Sequence, residues 1–259
     1  MKALKYSLVL LLTAVIGMAF IIQDKPTLYI IGDSTTNNHL PMMGWGQAIP
    51  EFFDLTKINV SNKAIAGRST RSFVREGHWD QLTAMLKPGD YVMMVFGHNE
   101  GTPPDTTARA NRGVLHGIGE DSVVLKWANG KTETVHTYGW YFRKFIRETK
   151  AKGATPIVLS MIPRNEFRNG KVIRADKDYG LWAKQVADQE GVIFIDLNSR
   201  TADKYDKWGP DSVKKIHPQD HTHTTPAGAR VNAQSVAEGI KADPKDPLNK
   251  YLNPNAKYE

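Results

Sequence analysis

Thr27-Leu28-Tyr29-Ile30-Ile31-Gly32-Asp33-Ser34-Thr35 is the stretch on which the fold turns. Its first five residues lack the polar alternation of a half-exposed strand, as expected of a strand covered on both faces. The run stops at Gly32, and a serine follows two residues later. Four later runs read the same way: Ile58–Val60, Tyr91–Phe96, Thr155–Ser160 and Val192–Asp196. Amphipathic segments separate them. Tyr138–Lys152 carries Tyr141, Phe142, Phe145 and Ile146 on one stripe and ends at Gly153. Asp176–Glu190 ends at Gly191, and Pro226 opens a last helix to about Lys241. Such alternation predicts an α/β fold: a parallel five-stranded sheet, helices on both faces, ligands at the carboxyl ends of the strands.

Two regions break the pattern. Residues 101–136 are too long for a plain connection. Within them Ser122–Trp127 and Lys131–His136 flank Asn129-Gly130, which predicts an inserted β-hairpin. It either shapes a substrate groove or is a surface elaboration. The tail, 243–259, carries Pro and Asn with little apolar pattern, and is expected to lie along the surface or fray. With no internal repeat, one domain is expected over 26–242.

The chain has 259 residues, 41% apolar and 24% charged, as globular proteins do. It has no cysteine, which excludes a disulfide scaffold, an iron–sulfur cluster, a thiolate nucleophile and Cys-ligated zinc. The formal charge is +7, without a Lys/Arg block or a DNA-reading motif, so nucleic acid is not an expected partner. Met1-Lys2-Ala3-Leu4-Lys5 precedes an apolar run from Tyr6 to Ile22, the pattern of a secretory signal over 1–25. A retained anchor or a buried N-terminal helix are the alternatives. A cut after Ala19 would remove Lys2 and Lys5 and take the charge from +7 to +5. The expected location is extracytoplasmic, periplasmic or secreted.

Four blocks hold the chemistry. In Gly32-Asp33-Ser34 a hydroxyl sits on a turn just past a strand. In Gly67-Arg68-Ser69 a glycine allows close approach of a backbone N–H to a ligand. In Gly97-His98-Asn99-Glu100 an amide can donate to a developing oxyanion. In Asp220-His221-Thr222-His223, an Asp and a His three apart can place a carboxylate at Nδ1 and leave Nε2 free to take a proton from a serine. Taken singly, each block is an ordinary turn or helix cap. His217, His221 and His223 also suggest a metal site, but their spacing fits no regular helical pair.

These blocks resemble the SGNH (GDSL-type) hydrolase family, over roughly Thr27 to Ile240. Ala66-Gly67-Arg68-Ser69-Thr70, His136-Thr137-Tyr138-Gly139-Trp140-Tyr141 and Asp220-His221-Thr222-His223-Thr224 are similar to its rhamnogalacturonan acetylesterase branch. The resemblance implies a three-layer, doubly wound, flavodoxin-like sheet. It implies a serine esterase that deacetylates pectic rhamnogalacturonan without metal or cofactor, with acetylated xylan, small acyl esters or lipids as alternative substrates. A non-catalytic carbohydrate-binding protein is the reading from another class. By matching position, Ser34 is the nucleophile, His223 the base and Asp220 its orienter. The Ser34 and Gly67 N–H groups and the Asn99 amide form the oxyanion hole. Glu100 departs from the branch, which usually has Asp, and is expected to alter local packing only. Arg68 and Arg71, with Arg75 and Lys63, are candidates for meeting uronate carboxylates. Trp45, with Trp79 and Trp208, is a candidate sugar platform, with a core position as the alternative. A monomer acting on a polysaccharide or oligosaccharide is expected, with membrane contact only through an uncleaved leader.

Overall fold

The computed structural model describes residues 25–107 and 111–258. The expected leader therefore lies almost wholly outside the described residues. The chain runs through β1 (Thr27–Ile31), α1 (Trp45–Ala48), β2 (Asn59–Asn62), α2 (Thr70–Arg75), α3 (His78–Met85) and β3 (Tyr91–Met94). A hairpin, β4 (Ser122–Lys126) and β5 (Thr132–His136), precedes α4 (Tyr138–Ala151) and β6 (Thr155–Leu159). A two-residue pair, β7 (Phe167–Arg168) and β8 (Lys171–Val172), leads to α5 (Tyr179–Glu190) and β9 (Ile193–Ile195). Three helices close the domain: α6 (Leu197–Trp208), α7 (Pro210–Ile216) and α8 (Pro226–Ala242).

The main sheet has five parallel strands in the order β2-β1-β3-β6-β9. Successive side chains of a strand point to opposite faces, so an unbroken apolar run feeds two cores at once. Met93 and Val95 join Leu28, Ile30, Trp45, Phe52 and the α8 residues Val236 and Ile240 on one face. Val92, Met94 and Phe96 join Ile31, Phe142, Phe145 and Val186 on the other. This is the three-layer, doubly wound arrangement expected.

The inserted hairpin forms as expected, with Gly130 at φ +82° in its turn. It packs against α2 through a buried ion pair between Arg71 and Glu133 and through Arg75 over the Trp127 ring. The expected strand over 58–60 is shifted to Asn59–Asn62, a polar edge strand, and β3 ends at Met94. The helix expected from Asp176 begins at Tyr179. No amphipathic pattern marks helix α6 in the sequence, because it buries only Leu197, Asn198, Thr201, Ala202 and Tyr205, a stripe half polar. The tail does not fray: Leu248 is fully buried in the first core, and the Asn253 N–H bonds the Phe52 carbonyl.

Candidate active site

All four blocks lie just beyond carboxyl ends of strands or beside them. Ser34 follows β1 by three residues. Its neighbour Asp33 is buried and accepts both the N–H and the hydroxyl of Thr35 at 2.8 Å, which closes the turn that presents Ser34. Gly67, at φ +76°, follows β2, and Ser69 caps α2 by accepting the Ser72 N–H. Gly97 follows β3 at φ +144°, and a Cβ there would lie 2.5 Å from the Met161 sulfur, so only glycine fits. His223 precedes α8, whose start is set by the Thr225 cap and Pro226.

The structure brings the three expected groups together. Ser34 Oγ is 2.8 Å from His223 Nε2, and His223 Nδ1 is 2.7 Å from Asp220 Oδ2. The other Asp220 oxygen accepts the N–H groups of Thr222 and His223. Partial burial pushes the Asp220 carboxyl up, but the His223 ring and these two N–H groups outweigh it and hold it at about 2. A carboxylate so fixed requires a proton on Nδ1 and leaves Nε2 to accept from Ser34.

Ser34, His223, Gly67 and Asn99 line one open cleft of about 750 Å³. Among the described residues neither the Ser34 nor the Gly67 N–H donates to another group. The Asn99 Nδ2 gives one hydrogen to the Arg68 carbonyl at 3.0 Å and keeps the other. Glu100 is fully buried and accepts the N–H groups of Thr70 and Asn99, tying the second block to the third. Burial, opposed by the Thr70 N–H and reinforced by Asp33, pushes its carboxyl up to about 8.

The remaining expectations divide. Trp45 and Trp79 are fully buried and cannot stack on a sugar, because both belong to the cores beside the sheet. Trp208 is exposed but packs on Tyr205, away from the cleft. Arg71 is buried and holds Glu133 through two hydrogen bonds of 2.8 and 2.7 Å, so it meets no substrate. Arg68 lies near the cleft, but its Nε is paired with Glu76 at 2.8 Å. The histidines are each engaged separately: His217 with the Tyr205 hydroxyl, His221 with Arg164 and Glu166, His223 with Ser34 and Asp220. Sequence reading missed Arg112, Arg164 and the 38–42 loop, all of which line the cleft. No local pattern marks them, since each reaches the site only through the fold.

A family model described as the GDSL-like lipase/acylhydrolase family matches residues 30–231. The chain belongs to that family. The hydrolase is 33% identical over 214 residues to a rhamnogalacturonan acetylesterase of Emericella nidulans, covering 83% of this chain and 84% of the relative. It is 29% identical to the rhamnogalacturonan acetylesterase RhgT of Bacillus subtilis, covering 83% and 89%. Among solved structures it superposes on the YxiM protein of Bacillus subtilis with a TM-score of 0.68 at 25% identity, covering 84% of this chain and 56% of that one. An acetylxylan esterase of Geobacillus stearothermophilus, Axe2, shares the fold with a TM-score of 0.56 at 18% identity, over 83% and 93%. The hydrolase is thus a serine esterase by family.

Proposed function

We propose that the enzyme, an esterase acting on carbohydrate, releases acetate from acetylated rhamnogalacturonan. The observation that carries the reading is the hydrogen-bonded series from Ser34 through His223 to Asp220 at the wall of the open cleft. In this reading Ser34 Oγ attacks the acetyl carbonyl carbon while His223 Nε2 takes its proton. The carbonyl electrons move onto oxygen, which the Ser34 and Gly67 N–H groups and the Asn99 amide stabilise. Collapse breaks the bond to the sugar oxygen, which leaves with the proton from His223. Water then attacks the acetyl-enzyme, giving its proton to His223. Acetate departs, and Ser34 recovers its proton. Neither metal nor cofactor is needed for these steps.

Two relatives bearing the rhamnogalacturonan acetylesterase name, at 29% and 33% identity over most of the chain, support the polymer. The acetylxylan esterase is a fold neighbour at lower identity. The basic start and apolar run of residues 1–22 favour an extracytoplasmic enzyme meeting polymer outside the cell. Acetate release from acetylated rhamnogalacturonan and acetylated xylan, with Ser34→Ala as control, tests the whole. The expected result is faster release from rhamnogalacturonan and a drop of several orders of magnitude in the variant. Equal rates on both polymers remove the pectic substrate, and wild-type turnover by Ser34→Ala removes the mechanism.

A further inference from the structure

Resting on the acyl-transfer reading above, we propose that Arg112, supplied by the 101–136 insert, is a positioning residue. It orients the Asn99 amide directly and anchors Gly67 beside it through the Gly67 carbonyl. Its Nη1 donates to the Gly67 carbonyl at 3.1 Å and to the Asn99 Oδ1 at 2.8 Å. One terminal nitrogen with two hydrogens therefore holds the second and third blocks from behind.

The chemistry of each bond gives this contact its consequence. A guanidinium donates and never accepts, so Asn99 must turn Oδ1 toward Arg112 and Nδ2 away from it. One Nδ2 hydrogen is then taken by the Arg68 carbonyl, and the other is left for the cleft. A flipped amide would set its NH₂ group against a cation. Gly67 has no side chain to hold it and sits at φ +76°, where a chain segment wanders readily. The 67–68 peptide is held at its carbonyl by Arg112 and at its Arg68 N–H by the Ile65 carbonyl at 3.2 Å, which anchors Gly67 on one side while its own N–H lies in the preceding peptide.

Charge adds a second reason. Arg68 is paired with Glu76 and Arg71 with Glu133, whereas no described carboxylate pairs with Arg112. Its charge therefore polarises the Asn99 amide and raises the local positive potential where negative charge develops. The insert thus reaches the site through Arg112, while its hairpin packs on α2.

The test uses p-nitrophenyl acetate with the full-length enzyme and the variants Arg112→Met, Arg112→Lys, Asn99→Ala, Ser34→Ala and the Arg112→Met/Asn99→Ala pair. Loss of an oxyanion donor lowers kcat by about 10²–10³. Acting through such donors, Arg112→Met is expected to lower kcat by about 10–100-fold, with KM within about twofold, and Arg112→Lys to recover part of the loss. In the Asn99→Ala background Arg112→Met should cost clearly less than in the wild type. Wild-type kcat in Arg112→Met, or full additivity with Asn99→Ala, overturns the proposal. If Arg112→Met does not fold, the same cycle with Arg112→Lys decides. Ser34→Ala separates the two readings: inactive Ser34→Ala beside fully active Arg112→Met rejects the brace alone, whereas active Ser34→Ala rejects acyl transfer itself.

Discussion

Met43 and Thr224 are joined by two hydrogen bonds, from the Met43 N–H to the Thr224 carbonyl at 2.9 Å and from the Thr224 hydroxyl to the Met43 carbonyl at 3.0 Å. Thr224 immediately follows His223, and Met43 lies on the loop that leaves Ser34. Side chains 189 positions apart are thereby held in register.

Thr224→Val keeps the shape and removes the hydroxyl, leaving the Met43 carbonyl short of a partner. The expected cost is about 1–3 kcal/mol of stability. The kcat for p-nitrophenyl acetate should fall several-fold, because the His223 loop loosens. Chemical denaturation and steady-state kinetics on the same preparation check both. Unchanged stability would show that the contact is incidental.

Arg71 should behave as a structural residue. Besides Glu133 it donates to the carbonyls of Asp105 and Gly113, so one buried guanidinium fastens the insert to α2. Removing one partner of a buried pair costs about 3–5 kcal/mol. Arg71→Met is expected to lose that much in urea denaturation and to increase hydrogen exchange around residues 101–136. Its KM for a uronate-containing substrate should not rise selectively over that for p-nitrophenyl acetate.

Glu100 sets an alkaline limit. Its carboxyl is pushed up from the ordinary value of 4.5 to about 8, chiefly by burial. Between those two values the folded chain keeps a proton that the unfolded chain gives up. The stabilisation is therefore complete below about pH 4.5 and is lost as the pH rises through about 8. Below pH 6.5 the imidazoles of His98 and His217, held by burial down to about 3 and about 4, act in the opposite sense. The clean window is thus pH 6.5 to 8. Thermal unfolding temperature should fall across it in the wild type and stay flatter in Glu100→Gln. Equal slopes would remove Glu100 as the cause.

The sheet was readable because a strand buried on both faces has to be apolar throughout, as Tyr91–Met94 is. The edge strand Asn59–Asn62 and helix α6 were harder, since each is polar enough to pass for loop. The four blocks were readable for a different reason: each joins a turn-forming residue to a reactive group next to a strand or helix boundary. Side-chain fate was less accessible. Trp45 looks the same in sequence whether it faces a sugar or the core, and burial decides it. Arg71 finds its counter-ion 62 positions away, and Arg112 meets Gly67 across 45. Spacing along the chain carries no trace of either contact.

The two ends of the described chain meet one short segment. Lys25 donates to the Leu55 carbonyl at 3.2 Å, and the Asp54 N–H bonds the Tyr251 carbonyl at 2.8 Å. Both contacts sit at the foot of β1, whereas Ser34 stands past its far end. The first described residue therefore stands at the opposite end of β1 from Ser34, so a change at Lys25 is separated from the cleft by the whole length of that strand.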